Sequence, residues 1–491
     1  MALTVFSLVL LSSILISVLS MRGVIKGKLT DVLVASGSFG PALLFFIMVG
    51  ENYTTGTLLG APGSIYSNGA SYGFWFIPYI LLAYPVAYFL SPAIWRMGRL
   101  SQGATVGDIL GWRYDSRLVE VLAAVCAIVF LTPIIQIQLT ALSLVFRYLN
   151  INIGFEHGVL LAVILAYLMI LLSGIRAPAY VSILKDALLI LAILVVGVVC
   201  LKETEGGAAG VFARVLATAP ETLTVPRGGG SGLPDTMSTV FFMMLTLNIY
   251  PILVAGTLTS SSERNVRKSV VIMPVYMLMF PFLVLAAYFA LVNLPGLEKD
   301  TAVLAVAALY LPEWLLGLIA GGVALTAVLV VSVNALSIAG LFSRNVYRVL
   351  KPRADERELI VCVKAATFLA LAAGALAAVK FPNLLANILK MSYSGMAQLL
   401  SAFVFAFFWK RATPLGVVAG ICLGFVCLAL FWNQPSFYGV NKGCAALAVN
   451  FAAGALVSLT GIRQTRAPER YLEYARSTPW TFSGKEKGGE G

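Results

Sequence analysis

The segment 36–76, SGSFGPALLFFIMVGENYTTGTLLGAPGSIYSNGASYGFWF, decides the fold of this chain. It contains an apolar run, Pro41 to Val49, which the polar stretch GENYTTG (50–56) interrupts before the apolar pattern resumes. Because a carboxylate and an amide are costly inside a membrane, they are found there facing a cavity, a partner or a ligand. The flanking glycines let the helix open, and free backbone groups are tolerated only along such a cavity. We therefore predict a transmembrane helix that is broken near Glu51.

The composition is that of a polytopic membrane protein. Of the 491 residues, 59% are hydrophobic and 11% are charged, whereas soluble proteins carry about 25% charged residues. Apolar runs of about 20 residues, each long enough to cross a bilayer, recur along the whole chain. We predict an all-α protein with about thirteen spans, near residues 3–20, 39–62, 72–95, 118–146, 158–173, 177–201, 237–257, 269–293, 314–343, 358–379, 387–409, 414–432 and 443–462.

Lysine and arginine are concentrated in alternate loops, which explains the net charge of +12 without a nucleic-acid partner. The loops 147–157, 202–236, 294–313 and 433–442 are poor in them. The positive-inside rule therefore places the N-terminus outside and the C-terminus in the cytoplasm, in a cell membrane. The connector 104–117 is expected to be an amphipathic helix that lies on the membrane. The expected partners are the lipid bilayer and a small-molecule substrate, with no obligate protein partner.

A second apolar run is interrupted in the same way. In FFMMLTLNIYPILVAGTLT (241–259), the polar residues Thr246, Asn248 and Tyr250 precede Pro251, which removes a backbone donor. Interrupted spans at matching positions of two halves point to the inverted repeats of secondary transporters. We therefore divide the chain into an extra N-terminal span with a basic loop (1–30), a first repeat of five core helices (31–201), an outer connector (202–236), a second repeat of five (237–411), two C-terminal spans (412–463) and a cytoplasmic tail (464–491).

The sequence offers no enzyme chemistry. Its six cysteines lie singly within or at the ends of apolar spans, without CxxC spacing, and are typical of small hydrophobic residues. We find no nucleophile–base pair, metal cluster or phosphate-cradling loop in the sequence. We therefore expect neither an enzyme nor an organic cofactor.

Five segments, in order along the chain, resemble motifs of the sodium:solute symporter family. LLGAPGSIYSNG (58–69) is similar to the Gly-x-Pro-Gly end of the first core helix, and TVGDILGWRYDSR (105–117) to a Thr-x-x-Asp-x-Leu…Arg-Tyr segment. SGIRAPAYVSILKDALL (173–189) is similar to the Gly-x-Arg-Ala…Asp segment of the fifth core helix, and ALSIAGLFSRNVYR (335–348) to the end of the eighth. FFWKRATPLGVVAGICLG (407–424) is similar to a Phe-Trp-x-Arg-Ala-Thr…Gly signature. The resemblance implies the LeuT-like inverted repeat, which agrees with the two repeats of five core helices, one extra helix before them and two after them, that the apolar spans predict.

The resemblance also implies a secondary active symporter, with sodium as the default coupling ion. Asp186 matches the fifth-helix aspartate that the family places near its sodium sites. On the eighth core helix, the adjacent hydroxyls that ligate sodium in the family fall on Leu329 and Val330, while Thr326 and Ser332 keep oxygens nearby. Hard cations require several oxygen ligands. The departure therefore leaves protons as a competing coupling ion, with Asp186 and Ser332 as candidate sodium ligands.

Glu51 is the leading candidate for ion coupling, because a desolvated carboxylate is able to bind a proton. The alternative is a structural hydrogen bond within the break. Threonines on membrane helices often bond to their own carbonyls, Asn248 and Tyr250 could serve helix packing, and Lys390 could extend to the interface. The candidate substrate contacts are Asn52, Thr54, Thr55, Asn248, Tyr250, Lys390 and Tyr393.

Lys185 has two interpretations. Its ammonium could occupy the place of a sodium ion, as in some proton-coupled transporters of the same superfold, or it could snorkel to the inner interface, which we favour. For the whole chain we predict import of a small polar nutrient, such as an amino acid or a monocarboxylate. The alternative is an uncoupled facilitator or a transporter-like sensor of the same fold.

Overall fold

A computed structural model describes residues 1–476 apart from residues 24, 26, 150, 152, 153, 228–231, 299, 382, 384, 432, 433, 435 and 461–466. The described chain is helical almost throughout. Its strand-like pairings are two isolated bridges, Phe39–Ser260 and Phe437–Val440. The predicted all-α class is confirmed.

The first half of the chain contains the long spans and one conspicuous interruption. Its helices are α1 (Ala2–Ser20), α2 (Leu29–Val34), α3 (Pro41–Asn52), α4 (Ala61–Asn68), α5 (Ala70–Ser101), α6 (Val106–Tyr114), α7 (Arg117–Tyr148), α8 (Phe155–Ser173), α9 (Arg176–Lys202) and α10 (Gly207–Thr218). α3 begins at Pro41, where the fixed φ of proline favours a helix start and its missing N–H costs no hydrogen bond.

The second half repeats the alternation of long helices and short interrupted ones. Its helices are α11 (Leu233–Thr246), α12 (Pro251–Leu258), α13 (Glu263–Ile272), α14 (Phe280–Asn293), α15 (Ala302–Tyr310), α16 (Glu313–Leu341), α17 (Arg348–Leu350), α18 (Glu356–Lys380), α19 (Leu385–Met396), α20 (Leu400–Phe408), α21 (Pro414–Leu430), α22 (Lys442–Leu459) and α23 (Ala467–Arg476). Several are joined by short 3₁₀ or π-helical segments, so that α11–α12, α13–α14, α16–α17 and α19–α20 are near-continuous rods.

Ten of these helices or rods, within the described residues, are long and apolar enough to cross a membrane, and the bent pair α3–α4 raises the number to eleven. Two further predicted spans, 158–173 and 414–432, correspond to α8 and α21, which are apolar but shorter. The multi-pass architecture is therefore confirmed. The count of thirteen spans remains a prediction.

α16 lies at the centre of the helix packing. In the most apolar part of this rod 89% of the residues are buried, compared with 22% in α1. α16 packs against α1, α7, α9 and α18. A central helix of this kind fixes the positions of its neighbours, and α9 carries the charged pair predicted to lie near the coupling site.

The connector after α5 differs from its prediction. α6 does not lie on the surface, because Arg113 and Tyr114 are both 0% exposed. Arg113 Nε donates to the carbonyl of Ala406 at 3.0 Å, and the Tyr114 hydroxyl donates to the carbonyl of Ala402 at 2.7 Å. The polar groups of this helix bond to carbonyls of α20 instead of to lipid headgroups, so the prediction of a membrane-surface helix is wrong.

Hydrogen bonds join the two halves of the chain at both ends of the interrupted helices. At one end, the N–H of Phe39 donates to the carbonyl of Thr259 at 2.9 Å, and the N–H of Ser261 donates to the carbonyl of Phe39 at 3.1 Å. At the other end, the Tyr66 hydroxyl donates to the carbonyl of Leu294 at 2.9 Å. These contacts tie the segment before α3 to the end of α12, and α4 to the segment after α14.

Candidate functional site

The first break lies between α3 and α4. α3 ends at Asn52, and Tyr53 has a non-helical conformation (φ −108°, ψ 86°). A π-helical turn over Gly56–Gly60 restarts the span, and the two helical parts are bent by 43°. The interruption predicted at 50–56 is confirmed.

The second break lies between α11 and α12. A 3₁₀ turn over Leu247–Ile249 ends α11, Tyr250 is extended (φ −57°, ψ 130°), and Pro251 begins α12. The whole run 233–258 still qualifies as one span. The second interruption is therefore confirmed and is milder than the first.

Both breaks line one small chamber. Its volume is about 40 Å³, which is room for a few water molecules, so the chamber has to widen to admit a nutrient. Most of its wall is apolar or aromatic. Its polar side chains and the tyrosines that frame them are Glu51, Asn52, Thr54, Thr57, Tyr79, Gln138, Tyr250 and Tyr393.

Glu51 is the charged residue of this wall. Its side chain is buried, with 6% exposed, and neither carboxylate oxygen has a hydrogen-bond partner among the described residues. The side-chain oxygen of Asn52 is also buried without a partner in the described chain. Buried polar groups without partners are costly and are retained where they serve a function. The carboxylate and the amide are thus available to a ligand.

Lys185 and Asp186 of α9 lie beside the first break. Both side chains are 0% exposed, and Lys185 Nζ is 2.6 Å from Asp186 Oδ1. The same nitrogen donates to the carbonyl oxygens of Gly50 and Tyr53, at 3.2 Å each. Lys185 therefore points into the protein, and the prediction that it snorkels to the interface is wrong because three oxygens of the interior satisfy its charge.

The predicted substrate contacts fall into two groups. Asn52, Thr54, Tyr250 and Tyr393 line the chamber. The other three bond elsewhere among the described residues. Thr55 donates to Gln138 Oε1 at 2.5 Å, Asn248 donates to the carbonyl of Ala83 at 3.1 Å, and Lys390 Nζ lies 3.2 Å from Asp235 Oδ2.

On α16, the oxygens predicted for ion coupling are bonded to their own helix. The Thr326 hydroxyl donates to the carbonyl of Gly322 at 2.8 Å, and the Ser332 hydroxyl donates to the carbonyl of Val328 at 2.7 Å. Both side chains are 0% exposed. Hydroxyls of this kind retain lone pairs for a cation, so their role as ligands stays a prediction.

Two residues that line the chamber were not predicted from the sequence. Gln138 of α7 and Tyr79 of α5 line the chamber. Gln138 had a detectable signal, because two glutamines at 136 and 138 interrupt an otherwise apolar span, where polar residues are functional candidates by default. Tyr79 had none, since a tyrosine among many aromatic residues of a span is typical of packing.

The chain belongs to the sodium:solute symporter family, whose model matches residues 33–424. It is similar to an uncharacterized symporter of Bacillus subtilis, YodF, with 28% identity over 92% of each chain. It is 27% identical to a monocarboxylate transport permease protein of Rhizobium johnstonii, over 88% of this chain and 90% of that protein. The sodium/pantothenate symporter of Escherichia coli is 23% identical over 84% and 87% of the two chains. These relatives are transporters and not enzymes.

Two solved structures establish the fold. A substrate-bound, outward-open Na⁺-coupled sialic acid symporter has a TM-score of 0.78 at 16% identity, over 94% of this chain and 98% of that one. The nucleobase-cation-symport-1 transporter Mhp1, closed around bromovinylhydantoin, has a TM-score of 0.55 at 15% identity, over 90% and 98%. The predicted LeuT-like fold is confirmed, and the family supports sodium as the coupling ion.

Proposed function

We propose that the chain is a secondary active symporter that imports a small polar nutrient across the cell membrane by alternating access. The observation that carries the proposal is the joint chamber, because two helix breaks from different halves of the chain enclose Glu51 without any hydrogen-bond partner in the described residues. In transporters of this kind, the substrate and the coupling ion bind where unwound segments meet.

The chamber wall favours a small substrate with both polar and apolar parts. Asn52 and Thr54 offer donors and acceptors, whereas the rings of Tyr250 and Tyr393, 4.8 Å apart between centroids, offer flat apolar surface. An amino acid or a monocarboxylate has this chemistry. The name of the Rhizobium relative, a monocarboxylate transport permease, supports the second.

The coupling ion is sodium or a proton in this proposal. The family supports sodium, and the unpartnered Glu51 supports a proton carrier. One elementary charge that moves inward gains about 2.3 kcal/mol per 100 mV, so either ion can drive accumulation of a neutral solute. The roles of Asp186, Thr326 and Ser332 in coupling, and of Thr55, Asn248 and Lys390 in holding the substrate site together, belong to the same proposal.

The topology is part of the proposal. The N-terminus lies outside and the C-terminus in the cytoplasm, with the repeats at 31–201 and 237–411 related by inversion. Labelling of single cysteines placed in the loops 202–236 and 351–355, in cells with a cysteine-free variant, distinguishes the two orientations. A membrane-impermeant reagent should label the first loop and not the second.

Uptake into proteoliposomes tests the function. The substrate is first selected by thermal shift of the purified protein against amino acids, short carboxylates and sugars. The selected, radiolabelled substrate should then accumulate above its equilibrium level when an inward sodium or proton gradient is imposed, and an ionophore should abolish the accumulation. Equilibration without accumulation under either gradient would instead indicate a facilitator, and binding without uptake a sensor.

A further inference from the structure

Three helices meet at the position of the Lys185 ammonium. Gly50 of α3 faces α9 and α16 there, since a Cβ on Gly50 would lie 3.5 Å from Lys185 Nζ, 3.5 Å from Ser182 Cβ and 3.9 Å from Leu329 Cδ2. Lys185 is 0% exposed. The ammonium therefore lies between the main chain of the broken helix, its own helix and an aliphatic side chain of α16.

The contacts of this ammonium are those of a bound cation. Its two carbonyl partners, Gly50 and Tyr53, belong to the C-terminal end of α3. The last carbonyls of a helix have no intrahelical partner and carry the negative end of the helix dipole. Together with Asp186, 2.6 Å away, they form an oxygen-rich site for one positive charge, and Lys185 supplies that charge.

The surroundings do not fit a sodium ion at the same place. Leu329 of α16, which faces Gly50 at this place, is a 0% exposed aliphatic side chain and supplies no oxygen. A hard cation requires several oxygen ligands. The two carbonyl oxygens that the first break would provide are already hydrogen-bonded to Lys185.

We infer that Lys185 is a tethered cation that replaces sodium at the first break, so that the chain binds no sodium ion there. The consequence of this inference for ion coupling rests on the proposed symport. A cation that is covalently attached cannot cross the membrane, so a sodium gradient cannot drive the cycle through this position. The coupling cation then acts at another group, and Glu51 in the adjoining chamber is the candidate.

Thermal unfolding of the purified wild-type chain tests the inference without a substrate. Its midpoint is measured in equal concentrations of sodium, potassium and choline chloride. We expect the three midpoints to agree within about 1 °C, because no sodium-specific site is filled. A saturable, sodium-specific rise of more than about 2 °C, as a ligand that binds only the folded state would produce, would overturn the inference.

The variant Lys185→Ala provides the second test. It leaves a space framed by the Gly50 and Tyr53 carbonyls and Asp186, and propylammonium matches the deleted atoms. We expect a lowered unfolding midpoint that propylammonium restores in part and that tetramethylammonium does not. The control is Lys364→Ala on α18, an exposed lysine, which should show no such restoration. Equal midpoints for wild type and Lys185→Ala, or equal restoration by all cations, would contradict a tethered cation.

The tests separate this inference from the proposed function. Should Lys185→Ala fail to fold, the wild-type comparison of cations still decides the matter. Sodium-specific stabilisation together with gradient-driven uptake would refute the tethered cation and leave the symport proposal standing. Cation-independent stability without accumulation under any gradient would refute symport and leave the tethered cation standing.

Discussion

The two helix breaks differ in how their polar groups are satisfied. At the second break, Asn248 donates to the carbonyl of Ala83, and the hydroxyl of Tyr250 is hydrogen-bonded to Ser392. At the first break, both carboxylate oxygens of Glu51 and the side-chain oxygen of Asn52 lack partners in the described chain. The second break is held together internally, whereas the first keeps unused hydrogen-bonding capacity.

This difference indicates that the two breaks have different roles. A satisfied polar network rigidifies the structure around it, so the second break serves as a fixed wall of the chamber. An unsatisfied buried carboxylate is costly and gains most from a ligand or a proton. Substitutions at the first break should therefore change transport more than stability, and substitutions at the second break should do the reverse.

The largest effect is expected for Glu51→Gln, which removes the charge and keeps the size of the side chain. Gradient-driven uptake should fall by about 100-fold, equivalent to about 2.7 kcal/mol, because the chamber loses its ionisable group. The unfolding midpoint should stay equal or rise, since an unpaired buried charge is removed. Initial uptake rates in proteoliposomes and thermal unfolding in detergent give the two readouts.

The matched control for this variant is Glu298→Gln. Glu298 is half-exposed and pairs with Arg147, and its uptake rate should stay within about twofold of wild type because surface ion pairs contribute little. Glu51→Gln with normal uptake and a lowered unfolding midpoint would reverse the assignment, making the first break the structural one.

An intermediate effect is expected for Asn248→Ala. The variant removes a buried amide that donates to the carbonyl of Ala83 and leaves its volume unfilled, so a hydrogen bond and packing contacts are lost together at a cost of about 2 kcal/mol. The unfolding midpoint should fall by several degrees relative to Asn265→Ala, whose amide contact with Ser261 is exposed. Uptake per folded molecule should change by less than about threefold. A variant with wild-type stability and abolished uptake would place Asn248 in direct contact with the substrate.

A smaller effect is expected for Tyr250→Phe. The change removes the hydroxyl, but Ser392 keeps its hydrogen bond to the carbonyl of Phe130, so no partner is left without a bond. The loss should be about 1 kcal/mol, below that of Asn248→Ala in the same unfolding assay. A loss as large as that of Asn248→Ala would show that the hydroxyl bridges more groups than Ser392.

The sequence predicts the two helix breaks, which depend on neighbouring residues. It does not predict the side-chain contacts that depend on how distant helices pack against each other. The glycines and polar residues of 50–56 and the Tyr250-Pro251 step interrupt their own helices, so both breaks follow from nearby residues. The partners of Lys185 are 132 and 135 residues away in the chain. Whether its ammonium reaches them depends on how α9 packs against α3, which no local pattern reports.

The same limit applies to the partner of Lys390. The pairing of Lys390 with Asp235 spans 155 residues, so the sequence reveals a buried lysine but not the carboxylate beside it. The family resemblance supplies the arrangement of helices. It does not supply individual side-chain contacts, such as the pairing of Lys390 with Asp235.

The smallest effect is expected from pH, because the ion pair between Asp31 and Arg176 should add no pH dependence to stability between about pH 6 and 8. Asp31 lies on α2, before the first break and outside the spans, and Arg176 is the first residue of α9. Arg176 Nη2 is 2.7 Å from Asp31 Oδ1. Although burial acts to raise the pKa of Asp31, hydrogen bonds from Arg176 and the N–H of Ile25 hold this pKa below its usual value of 3.8. The unfolded chain therefore binds the proton first as the pH falls, and stability is lost only in acid.

The difference in unfolding midpoint between wild type and Asp31→Asn should thus be constant from about pH 8 to about pH 5 and should shrink below about pH 4. Unfolding at a series of pH values in detergent measures it. A constant difference near neutrality means that this ion pair contributes no pH dependence there. If the uptake rate then depends on pH in the wild type and not in Glu51→Gln, that pH dependence originates in the chamber. A difference that changed between about pH 6 and 8 would remove that attribution, because the region leading into the first break would itself be titrating.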